Sequence, residues 1–205
     1  NTSGFSDSGT VQIFQEANIG EHIRRQGEEI EKSDVLISRG TCITPGEIGT
    51  LATFGYEKVS VMIKPKVAIF VTGSELVEPG NKIKIGQIYN SNLYMFAELA
   101  EKSGVEVVMR EVIKDDKDSL RRLLSEALQT CDVIISSGGV SMGRFDYVRE
   151  VYNKLGVQEH FWKVAQKPGK PLFFGRADST LIFGLPGNPV SSFICYVEYV
   201  HPVMQ

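Results

Sequence analysis

The chain has 205 residues, 42% of them hydrophobic and 23% charged, with a formal net charge of -3. This places it in the soluble globular range, with enough residues for one good core and a smaller appendage. A slightly acidic chain lacks the basic face of a general nucleic-acid or membrane binder, and no apolar run approaches the length of a membrane span. No signal-peptide pattern opens the sequence. Cys42, Cys131 and Cys195 are far apart and form no CxxC pair. That spacing argues against a zinc site or a disulfide framework and for reduced thiols in a cytoplasmic protein. Cys131 and Cys195 stand in apolar surroundings and read as packing residues.

Taken in chain order, the sequence begins with a Ser/Gly-rich opening, Thr2 to Gly9, and no initiating Met, which reads as a fragment. Val11 to Phe14 suggests a short strand, and Ile23 to Ile30 is charged and polar. Pro45 to Phe54 carries Ile48, Leu51 and Ala52 at helical spacing. Val59 to Ile63 alternates as a strand would, and Lys64-Pro65-Lys66 suits a boundary between a partial N-terminal domain (1–65) and a larger domain (66–205).

From Val67 the text becomes regular. Val67 to Val71 is a continuous apolar run, as a buried parallel strand requires. Leu93, Phe96, Ala97 and Ala100 mark a helix, Val105 to Val112 a strand, and Leu120, Leu123, Leu124, Ala127 and Leu128 a second helix. Asp132 to Ile135 is a strand, and Val148, Val151, Tyr152 and Leu155 mark a third helix. Leu172 to Phe174 and Leu181 to Phe183 read as strands. Val190, Phe193, Ile194 and Val197 begin a last helix. Strands alternating with helices predict an α/β fold, a mostly parallel sheet with helices on both faces.

Ligands of such sheets bind outside the carboxyl ends of the strands. Those ends read Thr72-Gly73-Ser74-Glu75, Asp115-Asp116, Ser136 to Ser141, and Leu185 to Pro189. Gly138 and Gly139 among serines suit either a phosphate cradle or an ordinary Gly-rich turn. Asp146, just before the third helix, is either an N-cap or a metal carboxylate. Asp115 and Asp116 carry the same two readings for the second helix. Glu75 follows a buried strand and faces the expected crevice, where magnesium would be held by carboxylates and substrate phosphates. Lys163, Lys167 and Lys170 lie on a loop stiffened by Pro168, Gly169 and Pro171, as a solvated basic loop or as an oxyanion clamp. In Gly184-Leu185-Pro186-Gly187-Asn188-Pro189, Asn188 suits an N-cap and Pro189 the first helical position, so backbone N–H groups face an anionic ligand. His22, His160 and His201 have no metal spacing.

Five stretches together resemble the molybdopterin molybdenumtransferase family (the MoeA and gephyrin E-domain group). They are Thr72 to Leu76, Ser136 to Gly143, Asp146-Tyr147, Lys167 to Pro171, and Leu185 to Ser191. Ile23 to Ile30 also resembles a segment of that family, and the likeness runs from about Gly20 to the end of the chain. The resemblance implies a three-layer α/β/α molybdopterin-binding domain behind a small N-terminal partial domain. It also implies a transferase of molybdenum cofactor biosynthesis: adenylylated molybdopterin and molybdate are its substrates, AMP is released and Mg2+ assists. A cytoplasmic homodimer follows from it, as does contact with the preceding adenylyltransferase. Glu75, Asp115 and Asp146 match catalytic and metal-binding acids, and Lys163 and Lys167 match basic residues of the pocket. Thr72, Gly73, Ser136, Ser137, Gly138, Gly139, Ser141, Lys170, Pro186, Gly187, Asn188 and Pro189 are the expected ligand-binding positions.

The chain departs from the family at Glu29, where Asp is usual. It also lacks the Gly-Phe-Asp-Asn-Ser-Ala-Met-Asp-Gly-Tyr-Ala motif and the C-terminal β-domain. A non-catalytic molybdopterin-binding module of the same superfamily is the alternative. The adenylyltransferase itself would carry Gly-Gly-Thr-Gly where this chain has Gly138-Gly139-Val140-Ser141.

Overall fold

A computed structural model describes the backbone of residues 3–5, 9–114, 116–139 and 145–204, and their side chains except at 3–5 and 145–147. The chain divides into two compact units, Asn1–Val61 and Met62–Gln205.

In the first unit, β1 (Ser3–Phe5) pairs antiparallel with β2 (Val11–Ile13). The one helix among its described residues is α1 (Pro45–Thr53). Its start is a capping box. Thr44 is the extended N-cap, Pro45 opens the helix, and Glu47 accepts from the Thr44 N–H at 2.9 Å. Hydrogen bonds from the Thr44 side chain and backbone hold the Glu47 carboxyl below its ordinary value. No residue of α1 is buried. The alternating stretch Val59 to Ile63 forms no strand, and Ile63 is 90% exposed. Alternation makes a strand only where a neighbour takes up its N–H and C=O groups, and no described strand lies beside this one.

The second unit is built on a six-stranded sheet of order β6-β3-β7-β10-β9-β8. Its strands are β3 (Lys66–Thr72), β6 (Glu106–Ile113), β7 (Val133–Ser137), β8 (Gln158–Trp162), β9 (Phe173–Ala177) and β10 (Thr180–Leu185). β6, β3, β7 and β10 run parallel, and β9 is antiparallel to both β10 and β8. Two-residue strands β4 (Leu76–Val77) and β5 (Ile88–Tyr89) make a separate parallel pair. The remaining helices are α2 (Asn92–Lys102), α3 (Lys117–Thr130), α4 (Phe145–Lys154), α5 (Pro189–Cys195) and α6 (His201–Met204). A π-helical turn, Tyr196–Val200, joins the last two.

The period-two geometry of β3 divides the core into two layers. Val67, Ile69 and Val71 face one side, with Leu93, Phe96 and Ala100 of α2 and with Cys195, Tyr196 and Val200. Ala68 and Phe70 face the other, with Leu120, Leu124 and Ala127 of α3 and Val148, Val151 and Tyr152 of α4. The sheet therefore has helices on both faces, in the expected three-layer α/β/α arrangement. Each fully buried Val, Leu, Ile or Phe contributes roughly 1.5–3 kcal/mol. β3 has both faces covered, which is why its sequence is a continuous apolar run rather than an alternating one.

The connections fix where a ligand can enter. From β3 the chain passes through α2 to edge strand β6. It then returns through α3, on the opposite face, to β7 on the other side of β3. The strand order thus reverses between β3 and β7, and a crevice opens beyond their carboxyl ends.

Candidate functional site

A cavity of about 810 Å³ lies at that point of reversal. Thr72 at the end of β3 and Glu75 beyond it, Ser137 at the end of β7 with Gly138 and Gly139, Pro186 to Pro189 after β10, and Tyr89 to Asn92 at the entry to α2 line it. Four chain segments distant in sequence converge because their strands end side by side.

The Gly-rich turn after β7 has a steric cause. Gly138 and Gly139 have φ of 83° and 70°, conformations that glycine adopts without penalty. A Cβ on Gly138 would lie 2.3 Å from the Thr72 carbonyl oxygen, and one on Gly139 would lie 2.8 Å from a Val148 methyl. The end of β7 is therefore pressed against the end of β3, and the bare backbone forms part of the cavity wall.

The two serines before this turn have different roles. Ser136 is buried, and its hydroxyl shares a 2.9 Å hydrogen bond with that of Tyr152, under α4 and away from the cavity. Burial pushes the Tyr152 hydroxyl up to about 12. Ser137 is fully buried and donates to the Pro186 carbonyl at 2.9 Å. Of the two hydroxyls expected to meet a ligand, one is thus absent from the lining and the other ties two loops together. The alternation of side chains across a strand separates them.

Asn188 caps α5 as expected, with Pro189 at the first helical position. Its Oδ1 accepts from Val190 N at 3.0 Å and Ser191 N at 3.2 Å. Those two amides are taken by the cap, which narrows the set of N–H groups the loop can offer an anion.

Glu75 is half-buried and is the one charged side chain among the described lining residues. A carboxylate among hydroxyls, carboxamides and bare peptide groups is a suitable donor for a hard cation. Among the described residues no three His, Cys, Asp or Glu side chains come together in a metal-holding group. Asp115, Ser141 and the side chain of Asp146 lie outside the described residues. α4 begins at Phe145, so Asp146 stands in its first turn rather than ahead of the helix as an N-cap. Asp116 is the cap of α3. It accepts from Ser119 N at 2.9 Å, and hydrogen bonding by Ser119 holds its carboxyl below the ordinary carboxylate range.

Gly73 is buried beside the Glu75 carboxylate but does not line the cavity. Lys163, Lys167 and Lys170 are exposed and also absent from the lining, to which their loop contributes Pro171. Lys163 Nζ sits 3.9 Å from the centroid of the Trp162 ring, a cation–π contact. The loop is held from below. A Cβ on Gly169 would lie 2.6 Å from Cys195 Sγ, and Tyr199 donates to Gln166 Oε1 at 2.7 Å.

The sequence reading missed Asn90 and Asn92, both buried in the cavity wall. The polar tripeptide Asn90-Ser91-Asn92 directly ahead of an apolar helical stripe was the available signal.

Residues 68–205 match the family described as "Probable molybdopterin binding domain", and residues 2–55 match "MoeA N-terminal region (domain I and II)". The fold and its crevice thus define a molybdopterin-binding-type α/β/α domain, preceded by part of a MoeA-type N-terminal region. The chain is 41% identical over 196 residues to a "Molybdopterin molybdenumtransferase" of Staphylococcus aureus (strain Mu50), covering 96% of this chain and 47% of that protein. It is 36% identical over 199 residues to a protein so named from Haemophilus influenzae, covering 97% and 49%. A solved structure, "molybdopterin biosynthesis moea protein from Pyrococcus horikosii", aligns with a TM-score of 0.78 at 32% identity, over 99% of this chain and 50% of that one. The chain belongs to the molybdopterin molybdenumtransferase (MoeA) family. It spans about half the length of the curated relatives it matches.

Proposed function

We propose that this chain carries the molybdopterin-binding domain of a molybdenum-inserting transferase of molybdenum cofactor biosynthesis. The substrates are adenylylated molybdopterin and molybdate, and AMP is released. The observation that carries this reading is the cavity at the point where the strand order reverses, in a chain of this family. Its wall joins bare peptide groups at Gly138 and Gly139 to a single described carboxylate, Glu75. Glu75 fits one ligand of a magnesium ion held otherwise by substrate oxygens, and Asp115 and Asp146 are the two further acids we place there. Bound magnesium would neutralise and orient a phosphoanhydride. Gly138, Gly139 and Gly187 let the ligand approach the backbone, Thr72, Asn188 and the two loop prolines shape the pocket, and Lys163, Lys167 and Lys170 draw anions toward its mouth. We further propose a cytoplasmic homodimer that receives its substrate from the adenylyltransferase acting before it. No helix among the described residues is long and apolar enough to cross a membrane.

The test is calorimetric titration of the chain with molybdopterin and its adenylylated form, with and without magnesium, for wild type and Glu75→Ala. Magnesium should tighten binding of the adenylylated form to wild type and have no effect on a folded Glu75→Ala protein. A magnesium response that survives the substitution would remove Glu75 from the metal site. Absence of binding to wild type would sink the reading for this domain. A full-length protein that binds but does not turn over with molybdate and magnesium would be a binding module.

A further inference from the structure

The carboxamide of Asn92 joins three of the four segments that form the crevice. It stands at the first position of α2 and is 5% exposed. Its Nδ2 donates to Ser137 Oγ at 2.8 Å and to the Gly187 carbonyl at 2.9 Å. Ser137 Oγ in turn donates to the Pro186 carbonyl at 2.9 Å.

This network fixes the orientation of the amide. The Gly187 carbonyl can only accept, so the atom beside it must be the nitrogen. The Ser137 hydrogen is committed to Pro186, so its oxygen must accept from Asn92 as well. Both amide hydrogens are thereby used, and Asn92 Oδ1 is left buried with no partner among the described residues. A buried acceptor with no partner among the described residues is a cost that a residue chosen for stability alone would avoid. The cost is tolerated where two N–H groups are needed at one point, between the end of β7 and the loop that precedes α5.

We infer that Asn92 is a positioning residue for molybdopterin, an inference that rests on the function proposed above. Its N–H pair sets the separation of the Ser137–Gly139 turn from the Pro186–Asn188 loop, and so sets the pocket width. Aspartate at this site has the same shape but turns a carboxylate oxygen toward the Gly187 carbonyl, and it can take the Ser137 hydrogen only by releasing the Pro186 carbonyl, so the tie between the loops is lost either way. When protonated, that carboxyl regains one O–H donor and restores one of the two bonds.

The experiment is anaerobic titration of molybdopterin into the full chain, for wild type, Asn92→Asp and Ser137→Ala, from neutral to mildly acidic pH, with unfolding temperatures measured alongside. Asn92→Asp should bind about tenfold more weakly or worse at neutral pH. The gap from wild type should narrow as pH falls and the introduced carboxyl takes up its proton. Ser137→Ala should weaken binding in the same direction, by less, with no pH dependence of its own. A merely structural Asn92 would lower the unfolding temperature and leave the dissociation constant of the folded fraction unchanged, and that result overturns the inference. If Asn92→Asp does not fold, an unchanged dissociation constant for Ser137→Ala overturns it equally. Failure of wild type to bind is a separate outcome that removes the functional reading itself and this inference with it.

Discussion

At the scale of single residues, the site depends on contacts too close for any side chain. Gly138 is the clearest case, with its positive φ and the Thr72 carbonyl 2.3 Å from a would-be Cβ. Gly138→Ala should cost roughly 1–3 kcal/mol from the backbone conformation alone, with the clash added. Urea unfolding of the two proteins would measure this loss, and a loss below the lower bound would mean that the β7 and β3 ends separate easily. The cysteines allow a second check. Cys131 and Cys195 are buried, and burial pushes the Cys195 thiol up to about 11, while Cys42 is exposed. A thiol reagent should therefore modify Cys42 alone in the folded chain and all three cysteines in denaturant; fast modification of Cys195 would contradict its packing under Gly169. The paired glycines and the Asn188 cap were legible in the sequence because backbone geometry dictates those residue types. The division of labour between Ser136 and Ser137 was not, since it depends on which face of β7 each one takes.

At the scale of elements, the α/β rhythm was readable wherever burial was complete. β3, β7 and β10 are apolar runs, and α2 and α3 carry clean stripes. β8 was missed because its stretch Gln158 to Trp162 is an edge strand with a mixed burial pattern. β4 and β5 were missed because two residues carry no period. The Val59 to Ile63 stretch failed for the opposite reason, having a period but no neighbour among the described strands. An ion pair across α3 and α4 makes a prediction at this scale. Hydrogen bonds from Lys117 of α3 and Lys154 of α4 hold the Glu150 carboxyl at about 2, from an ordinary 4.5. A carboxyl depressed on folding stabilises fully above its unfolded value and loses that contribution as pH falls toward its folded one. Wild type should thus unfold at a slightly higher temperature than Glu150→Gln at neutral pH, with the gap closing from 4.5 down to about 2. The group is exposed and the effect correspondingly small. A gap that widened in acid would rule out the pair as its source.

At the scale of the whole molecule, the two units differ in what holds them. The second encloses two apolar layers, whereas no described residue before Val61 is buried. Amide exchange should be fast throughout the first unit, α1 included despite its capping box, and slowest in β3 and β7. Slow exchange in α1 would show that the helix has a stability source beyond its own cap.

The position of the crevice has a consequence for energetics. Its floor is the junction of β3 and β7, two inner strands of the sheet, and not a peripheral loop or a cleft between lobes. The site cannot be dismantled without parting the most deeply buried strands. A ligand that fills it binds the native state and not the unfolded chain, so it adds to global stability as the logarithm of one plus the ratio of its concentration to its dissociation constant. Occupancy is thus registered by the slowest-exchanging amides of the domain as well as by the loops that touch the ligand.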